Sequence, residues 1–340
     1  MNQVILPPEW TPQSAVQLTW PHEETDWKDN LGEVTACFAA IAKEIIKRET
    51  LLIVCKNEQE VKAQIENVDF DRIIFREMAT NDTWARDHGA ITVIKDGRPV
   101  ILDFTFNGWG LKFAAHWDNQ ITRKLYETDT FSPETGYLRL PQTLEGGSIE
   151  SDGAGTILTT TRCLLSPNRN EPLSQEEIEL FLKKTLGAER ILWLNNGQLA
   201  GDDTDGHIDT LARFCDPQTI AYVCCDDTED EHYEALSAMK KELEDFRTVD
   251  SKPYRLIPLP MAGAVYEDGQ RLPATYINFL IINGEVLMPA YDSPQKDTIA
   301  AQQLQKAFPD REIVMINCLP LIRQGGSLHC LTMQFPVNVL

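Results

Sequence analysis

The sequence Gly325-Gly326-Ser327-Leu328-His329-Cys330 places a cysteine after a glycine pair and beside a histidine, within a run typical of a β-strand that ends at Pro336. A lone cysteine is often a small core residue. A nucleophilic cysteine, in contrast, acts as the thiolate and needs a base or a positive partner. Glycines let a ligand approach the backbone closely. The stretch therefore makes Cys330 a candidate nucleophile and Gly326 a candidate substrate contact.

The base that Cys330 needs is predicted to be His207 rather than the adjacent His329. Neighbouring residues on a strand point to opposite faces, so we expect His329 to be structural. His207 and Asp209 lie in Asp205-Gly206-His207-Ile208-Asp209. On an extended segment, residues two apart face the same side, which would place a carboxylate beside the imidazole. The turn-forming residues before this segment are equally typical of a surface loop.

Two further acids, Asp87 and Glu145, occur in short glycine-containing motifs, and the motifs are evenly spaced. Asp87 and Glu145 are 58 residues apart, Glu145 and His207 are 62 apart, and His207 and Cys330 are 123 apart. The spacing predicts units of about 60 residues, each bringing one motif to a shared centre, as in a propeller-like fold. About five such units would fill the chain. A plain open α/β sheet would not predict this even spacing.

Helix-like and strand-like segments alternate along the chain, which predicts an α/β fold. The predicted helices are 31–48, 57–66, 174–186, 230–247 and 295–307. The predicted strands are 51–55, 72–76, 90–94, 100–106, 156–160, 190–193, 220–224, 254–257, 276–281, 286–288 and 312–316. No Ser/Pro-rich linker divides the sequence, so we expect one domain over residues 1–340.

Composition excludes several classes of protein. The chain has 340 residues, 42% of them hydrophobic, and a formal net charge of −21. This charge disfavours binding to nucleic acid or to an anionic membrane surface, and is compatible with a cationic substrate. No apolar run reaches the roughly 18 residues of a membrane helix, and no secretory signal is visible. Eight cysteines form no CxxC pair, which is typical of a reducing cytoplasm. We therefore expect a cytoplasmic protein.

An acidic loop and two tryptophans near the motifs can each be interpreted in two ways. The loop Gly201-Asp202-Asp203-Thr204-Asp205-Gly206 is acidic beside glycine, as calcium sites are, but its spacing does not match the calcium-loop pattern. We expect no metal there. Trp84 and Trp109 can stack on a planar cation, although a core position is as typical of either residue.

A thiol, an imidazole and three carboxylates together indicate chemistry on a guanidinium group. Carboxylates are acceptors only, and two of them can bind a planar guanidinium bidentately. Holding this poor electrophile beside a thiolate supplies proximity. The imidazole can then protonate departing ammonia and activate water. An acyl-transfer enzyme would instead need oxyanion donors.

Seven motifs in order resemble those of the agmatine deiminase and Porphyromonas-type peptidylarginine deiminase family, within the guanidine-modifying pentein superfamily. The resemblance covers nearly the whole chain. The motifs are LPPEW at 6–10, LTWPH at 18–22, WARDHG at 84–89, FNGWG at 106–110, EGGSIESDG at 145–153, DGHIDT at 205–210 and GGSLHC at 325–330.

This resemblance implies a five-bladed αβ propeller with ββαβ-type repeats and the site on its pseudo-fivefold axis. It implies Cys330 as the covalent nucleophile and His207 as the general acid and base. It further implies Asp87 and Asp209 as the guanidinium clamp. Glu145 either contacts a substrate nitrogen or orients His207. The implied reaction converts a guanidine and water to a ureido product and ammonia, without metal or organic cofactor.

The identity of the substrate is predicted less sharply than the reaction. The family resemblance and the expected cytoplasmic location favour agmatine, a small-molecule guanidine whose far end is an amine. Asp205, with Asp202 and Glu23, is a candidate for binding that amine. Three alternatives remain. The substrate can be free or peptidyl arginine, an amine can replace water as the acceptor, or the protein can be a non-catalytic binding module. Whether the chain forms a homo-oligomer also remains open.

Overall fold

The computed structural model describes residues 3–340, and the longer helices form where apolar residues recur at helical spacing. In the first of them, Val34, Phe38, Ile41 and Ile45 are all buried, which gives the helix one apolar face. The α-helices are α1 Leu31–Arg48, α2 Glu58–Gln64, α3 Ala85–His88, α4 Gly108–Leu111, α5 Ile121–Glu127, α6 Thr161–Leu164, α7 Gln175–Leu186, α8 Tyr233–Asp245, α9 Pro294–Ala307 and α10 Leu319–Ile322.

The strands are short and lie between these helices, so the chain is a mixed α/β protein. They are β1 Val4–Ile5, β2 Gln13–Thr19, β3 Thr50–Cys55, β4 Ile73–Glu77, β5 Ile91–Lys95, β6 Arg98–Thr105, β7 Gly136–Thr143, β8 Ile149–Ser151, β9 Thr156–Thr160, β10 Arg190–Leu194, β11 Ala212–Asp216, β12 Thr219–Cys224, β13 Arg255–Pro260, β14 Tyr266–Glu267, β15 Gln270–Arg271, β16 Leu280–Ile282, β17 Glu285–Ala290, β18 Glu312–Asn317 and β19 Thr332–Pro336.

Five sheets of three or four strands are present in the described residues, besides the hairpin β14-β15. Their strand orders are β1-β5-β6-β7, β10-β9-β8, β11-β12-β13, β16-β17-β18 and β19-β2-β3-β4. Each sheet contains an antiparallel pair whose second strand pairs in parallel with the next strand. In the last of these sheets, Thr332 pairs with Leu18, so the C-terminal strand joins the N-terminal part of the chain.

The residues predicted to carry chemistry precede the first strand of an antiparallel pair. The helix α3, which holds Asp87, ends just before β5. Three-residue 3-10 turns at Gly146–Ser148, Ile208–Thr210 and His329–Leu331 precede β8, β11 and β19 respectively. The same position before β16 is occupied by a loop that contains Asn278. One short segment therefore precedes the antiparallel pair of each sheet.

Most predicted elements are confirmed, because their signals are local. The predicted helix 31–48 matches α1, and the predicted helix 174–186 matches α7, which begins with a capping box between Ser174 and Glu177. The strand predicted at 276–281 is wrong at its start. Strand β16 begins only at Leu280, although Tyr276 and Phe279 are fully buried. Burial of an apolar run does not by itself make a strand.

Two predictions about local geometry at the site are also wrong. Cys330 and His329 lie in a 3-10 turn, not within a strand, and β19 begins only at Thr332. His207 directly precedes the 3-10 turn Ile208–Thr210, and Asp209 lies within it. The two side chains therefore do not follow the two-residue alternation of an extended segment. Among the elements that were not predicted are two strands, Gln13–Thr19 and Ala212–Asp216, and the helix Ile121–Glu127. The two strands are buried on both faces, so their sequences show no alternation of polar and apolar residues.

None of the helices in residues 3–340 combines the length and the apolar character that crossing a membrane requires.

Candidate active site

A cavity of about 270 Å³ is lined by Asp87 and Cys330. Trp84, Trp109 and Phe113 also form part of its walls, so the thiol shares the cavity with an aromatic surface. The volume and the aromatic side chains suit a small, flat ligand.

Cys330 is almost fully buried, with 4% of its surface exposed. Its Sγ lies 3.4 Å from Oδ1 of Asn278 and 3.9 Å from Oδ2 of Asp209. Burial raises the pKa of the Cys330 thiol well above its ordinary value, and the charges of Asp209 and Asp87 add to this shift. In the free protein, Cys330 is therefore a thiol, and a bound cation would favour the thiolate.

Asp87 lies beside the thiol with its carboxylate fixed by two neutral donors. Oδ2 accepts a hydrogen bond from Trp109 Nε1 at 3.0 Å, and Oδ1 accepts one from the main-chain N of Gly147 at 3.1 Å. Burial raises the pKa of Asp87 to about 6, and the charge of Asp209 contributes to the rise. The hydrogen bonds thus orient the carboxylate of Asp87, but burial makes its charged form unfavourable. A bound cation would stabilise that charged form.

Gly147 marks the point at which three of the predicted residues meet. A Cβ atom on Gly147 would lie 2.6 Å from Nδ1 of His207, 2.8 Å from Oδ1 of Asp87 and 3.1 Å from Oδ2 of Asp209. No side chain fits there without moving one of these groups. The structure therefore brings Cys330, Asp87, Asp209 and His207 together, as the sequence predicted.

His207 is fully buried, and neither of its ring nitrogens has a hydrogen-bond partner among residues 3–340. Nδ1 lies 3.5 Å from Oδ1 of Asp87. Burial opposes a charged ring, but the negative charges of Asp87 and Glu145 and the nearby Cys163 raise the pKa of His207 well above its ordinary value. His207 is therefore an imidazolium, ready to donate a proton.

Glu145 is fully buried and does not line the cavity, as His207 and Asp209 also do not. Both of its oxygens accept hydrogen bonds from Nε of Arg169, at 3.0 and 3.2 Å. Of the two roles predicted for Glu145, this bonding of both oxygens favours orienting His207 over contacting the substrate.

Glu145, Cys163 and His207 hold one potential metal-ligand atom each within 4.8 Å of one another. Thiolate, imidazole and carboxylate are ligands that zinc accepts. However, the guanidinium of Arg169 is bonded to both oxygens of Glu145, and it would repel a cation at this point. The donor set therefore does not favour a metal, and the expected absence of one stays a prediction.

Asp209 is oriented by His329 and not by His207. His329 Nδ1 lies 2.8 Å from Oδ2 of Asp209, and His329 Nε2 lies 2.7 Å from Oε2 of Glu9. Both ring nitrogens of His329 therefore lie within hydrogen-bonding distance of a carboxylate oxygen. Burial opposes the charge of Asp209, but the hydrogen bond from His329 lowers the pKa of Asp209 below its ordinary value. Oδ1 of Asp209 is buried without a partner in the described residues.

Glu9, which the sequence reading did not select, is the centre of a buried charge network behind Asp209. Its Oε2 also accepts a hydrogen bond from Arg213 Nη2 at 2.8 Å and lies 3.5 Å from Arg86 Nη2. Arg213 in turn donates from Nε to Glu150 at 2.5 Å. A second cavity of about 60 Å³ reaches this group. We call these residues, together with His329, the rear network.

Asn278 is the second residue that the sequence reading missed. Its Oδ1 accepts from the main-chain N of His329 at 2.9 Å and of Cys330 at 3.3 Å, and its Nδ2 lies 3.3 Å from the main-chain O of Asp209. It therefore fixes the turn of the nucleophile. The interval between His207 and Cys330, twice the others, was the signal that could have located a fifth motif between them.

The remaining candidates differ in position. Trp84 and Gly326 line the cavity, and a Cβ on Gly326 would lie 2.3 Å from the Trp84 ring. Gly326 is thus required by the packing of Trp84. Asp205 does not line the cavity, and its carboxylate is bonded to Arg169 Nη1 at 2.6 Å and to Lys112 Nζ at 2.8 Å, so that its role in substrate binding stays a prediction. Glu23 lines a different cleft.

Comparison with known proteins agrees with this geometry. The model of the Porphyromonas-type peptidyl-arginine deiminase family matches residues 5–336. The chain belongs to this family. Among members with assigned names, the agmatine deiminase of Stutzerimonas stutzeri is 37% identical over 97% of this chain and 95% of its own length. A protein of Legionella pneumophila described as a putative agmatine deiminase is 36% identical, over 97% and 94%.

Solved structures of the family have the same fold. A putative arginine deiminase from Porphyromonas gingivalis is 53% identical, with a TM-score of 0.96 over 99% of this chain and 100% of that one. A cysteine-to-serine variant of C. jejuni agmatine deiminase with substrate bound is 38% identical, with a TM-score of 0.91 over 98% and 96%. The predicted family is confirmed, and the family includes proteins named for different guanidine substrates.

Proposed function

We propose that this protein is an agmatine deiminase, which hydrolyses agmatine to N-carbamoylputrescine and ammonia. The observation that carries the proposal is the Cys330 thiol in the wall of a cavity, with the carboxylates of Asp87 and Asp209 close to it. The names of the agmatine deiminases at 35–37% identity support agmatine as the substrate.

Binding is the first step of the proposed mechanism. The guanidinium of the substrate binds beside Cys330 and donates charge-assisted hydrogen bonds to Asp87 and Asp209. Its charge stabilises the Cys330 thiolate, and the thiol proton leaves to solvent through the cavity. The aromatic wall of Trp84 and Trp109 covers the planar group.

The first half of the chemistry forms the covalent intermediate. The thiolate of Cys330 attacks the guanidinium carbon and forms a C–S bond, giving a neutral tetrahedral adduct. His207 then transfers its proton to one nitrogen, the C–N bond breaks, and ammonia departs. This leaves an amidino-thioether cation on Cys330 and a neutral His207, held in position by Glu145.

The second half uses His207 as a base. His207 takes a proton from water, and the hydroxide adds to the carbon of the intermediate. The C–S bond then breaks, which regenerates the thiolate of Cys330. The product is the neutral ureido compound, and its released proton and the ammonia leave as ammonium. No metal or organic cofactor takes part.

We further propose that the five sheets are the blades of a single propeller-like domain over residues 1–340. Support comes from the strand plan that the sheets share and from the turn that precedes one strand of each. The side chains in these turns, including Asn278, approach one another at Cys330 and Asp209. A cytoplasmic location and a role in polyamine metabolism remain predictions.

The test is ammonia release from agmatine, free arginine and a peptide ending in arginine, with the products identified by mass spectrometry. Agmatine should be turned over fastest and yield equal amounts of ammonia and N-carbamoylputrescine. Faster formation of citrulline from arginine would contradict the proposed substrate. Addition of a primary amine should leave the product unchanged; a new amidino compound would instead indicate amidino transfer.

A further inference from the structure

We propose that Cys163 is a positioning residue for His207: its sulfur accepts a hydrogen bond from the ring nitrogen that does not face the substrate, and its S–H group donates to Glu145. The inference rests on the proposed deiminase function and adds one residue to that reaction. Cys163 does not line the cavity that contains Cys330, so it acts through the ring of His207.

Cys163 lies close to both His207 and Glu145. A ring nitrogen of His207, the sulfur of Cys163 and a carboxylate oxygen of Glu145 all lie within 4.8 Å of one another, and all three side chains are fully buried. The ring nitrogens of His207 have no hydrogen-bond partner among residues 3–340. A buried polar group without a partner costs free energy. Asp87 faces Nδ1 from the cavity side at 3.5 Å, and the thiol can serve the other nitrogen.

The short helix α6, which holds Cys163, is bonded to the segment before His207 at two points. The hydroxyl of Thr160 accepts a hydrogen bond from the main-chain N of Cys163 at 3.2 Å and donates one to the main-chain O of Gly206 at 2.7 Å. Just after α6, Ser166 Oγ donates to Oδ2 of Asp205 at 3.0 Å. Because both bonds join the same two segments, they hold Cys163 close to His207.

The thiol can do what the neighbouring acid cannot. Burial raises the pKa of the Cys163 thiol above its ordinary value, so the sulfur keeps its hydrogen. A thiol both donates and accepts weakly, whereas the carboxylate of Glu145 only accepts. Both oxygens of Glu145 are already bonded to Arg169, yet each can accept a further hydrogen bond. With its hydrogen directed at Glu145, the sulfur is left to accept from His207. Glu145 thus orients His207 through Cys163.

Such a partner fits the two roles of His207 in the reaction. The nitrogen bonded to Cys163 keeps its hydrogen, so the other nitrogen is the one that gives a proton to ammonia and takes one from water. The charges of Asp87 and Glu145 already raise the pKa of His207. A neutral acceptor fixes the ring without adding a negative charge that would bind the transferable proton more firmly.

Several charged groups besides Cys163 influence the titration of His207, and the variants used here leave all of them in place. They are Asp87 on α3, Glu145 before the turn Gly146–Ser148, Asp203 in the loop before His207, Asp209 in the turn Ile208–Thr210, and Arg169, which is bonded to Glu145.

The first part of the experiment is steady-state kinetics with agmatine. Cys163→Ala should lower kcat about tenfold and change KM less than about twofold, since one hydrogen bond to the ring is lost and substrate contacts remain. Cys163→Val, which removes the hydrogen bond and fills the space, should behave as C163A does. Cys163→Ser keeps a donor and an acceptor and should stay within about threefold of the wild type. Cys55→Ala, at a buried cysteine of β3, is the matched control and should retain full activity.

The second part observes the ring itself, by ¹⁵N NMR of protein labelled at its six histidines. The signals of His207 are assigned by their absence in His207→Gln. In C163A and C163V the imidazolium loses an acceptor, so the midpoint of its titration should fall by about half to one pH unit. In C163S the midpoint should return towards the wild-type value.

Three results would overturn the inference. Activity of C163A and C163V equal to that of C55A would make Cys163 a core residue only. Equal losses in C163S and C163A would show that hydrogen bonding is not its role. An unchanged titration of His207 in C163V would mean that the thiol does not contact the ring. Absence of ammonia release by the wild type would instead refute the proposed deiminase function, and the NMR titration would still decide whether Cys163 is bonded to His207.

Discussion

The rear network and the cavity lined by Cys330, which we call the front cavity, both contain carboxylates. They differ in whether side chains of the protein supply the cations that pair with these carboxylates. In the rear network, Glu9 is bonded to Arg213 and His329, and these partners hold the pKa of Glu9 well below its ordinary value. In the front cavity, the carboxylates of Asp87 and Asp203 accept no hydrogen bond from a cationic side chain of residues 3–340. The His207 ring lies 3.5 Å from Asp87, yet burial raises the pKa of both acids to about 6. The contrast shows that charges paired within the protein form the scaffold, while the unpaired ones await a cationic ligand.

The largest expected effect is at the nucleophile in the front cavity. Cys330→Ala should lower kcat by about 10⁴-fold or more, because covalent catalysis is then impossible. Substrate binding should persist, since Asp87 and Asp209 remain. Ammonia release and calorimetric titration with agmatine measure the two quantities. Cys224→Ser, at the end of β12, is the matched control and should keep its activity. Substantial turnover by C330A would remove Cys330 from the mechanism.

In the rear network the expected effect is on folding. Arg213→Met leaves Glu9 and Glu150 buried without their main cation, which should cost about 3–5 kcal/mol of the free energy of unfolding. Urea denaturation measures this loss. Arg123→Met removes only an exposed pair with Glu127 and should change stability by less than about 1 kcal/mol. Equal stability of the two variants would show that the rear network is not the scaffold proposed here.

The pH dependence of activity should sharpen the contrast. Asp87 binds the guanidinium as a carboxylate, and its pKa is raised to about 6 in the free protein. Activity should therefore be present above this value and be lost as the pH falls through it. Because binding also releases the proton of the Cys330 thiol, kcat/KM for agmatine should fall about tenfold per pH unit above this value and about 100-fold per unit below it. A fall of only about tenfold per unit throughout would count against the titration of Asp87.

A smaller effect is expected where the two regions meet, at His329. If asparagine replaces His329, its side-chain amide can reach Asp209 as Nδ1 of His329 does. If glutamine replaces His329, its amide can instead reach Glu9 as Nε2 does. His329→Gln should thus lower kcat about tenfold, the effect of one lost hydrogen bond, while His329→Asn should retain more activity. Steady-state kinetics separates kcat from KM. The account would be wrong on this point if H329Q were the more active variant.

Much of this contrast could be predicted from the sequence, because motifs and local spacing carry it. Helix α1 follows from the apolar spacing between Val34 and Ile45, and α7 from its capping box. The convergence of Cys330, His207 and Asp87 followed from the motif spacing. The structure brings His207 and Asp87 together around Gly147 and places Cys330 in the same cavity as Asp87.

What the sequence did not predict depends on contacts between distant residues. Glu9 and His329 are 320 positions apart. Glu9 lies in the motif LPPEW, but nothing in the sequence shows which charged residues it contacts. Asn278 lies in an apolar run that looked like a strand, and its role is evident only beside Cys330. Asp203 and Asp205 are alike in sequence, and only the placement of Lys112 and Arg169 distinguishes them.

The central claim is that the front carboxylates await a cation that then activates Cys330. It is tested most directly by the rate at which Cys330 is alkylated by 2-chloroacetamidine, a cation, and by neutral 2-chloroacetamide. Relative to the same ratio for N-acetylcysteine, the wild type should prefer the cation by about tenfold or more, and Asp87→Asn should remove most of this preference. Equal ratios for the protein and N-acetylcysteine would contradict the claim.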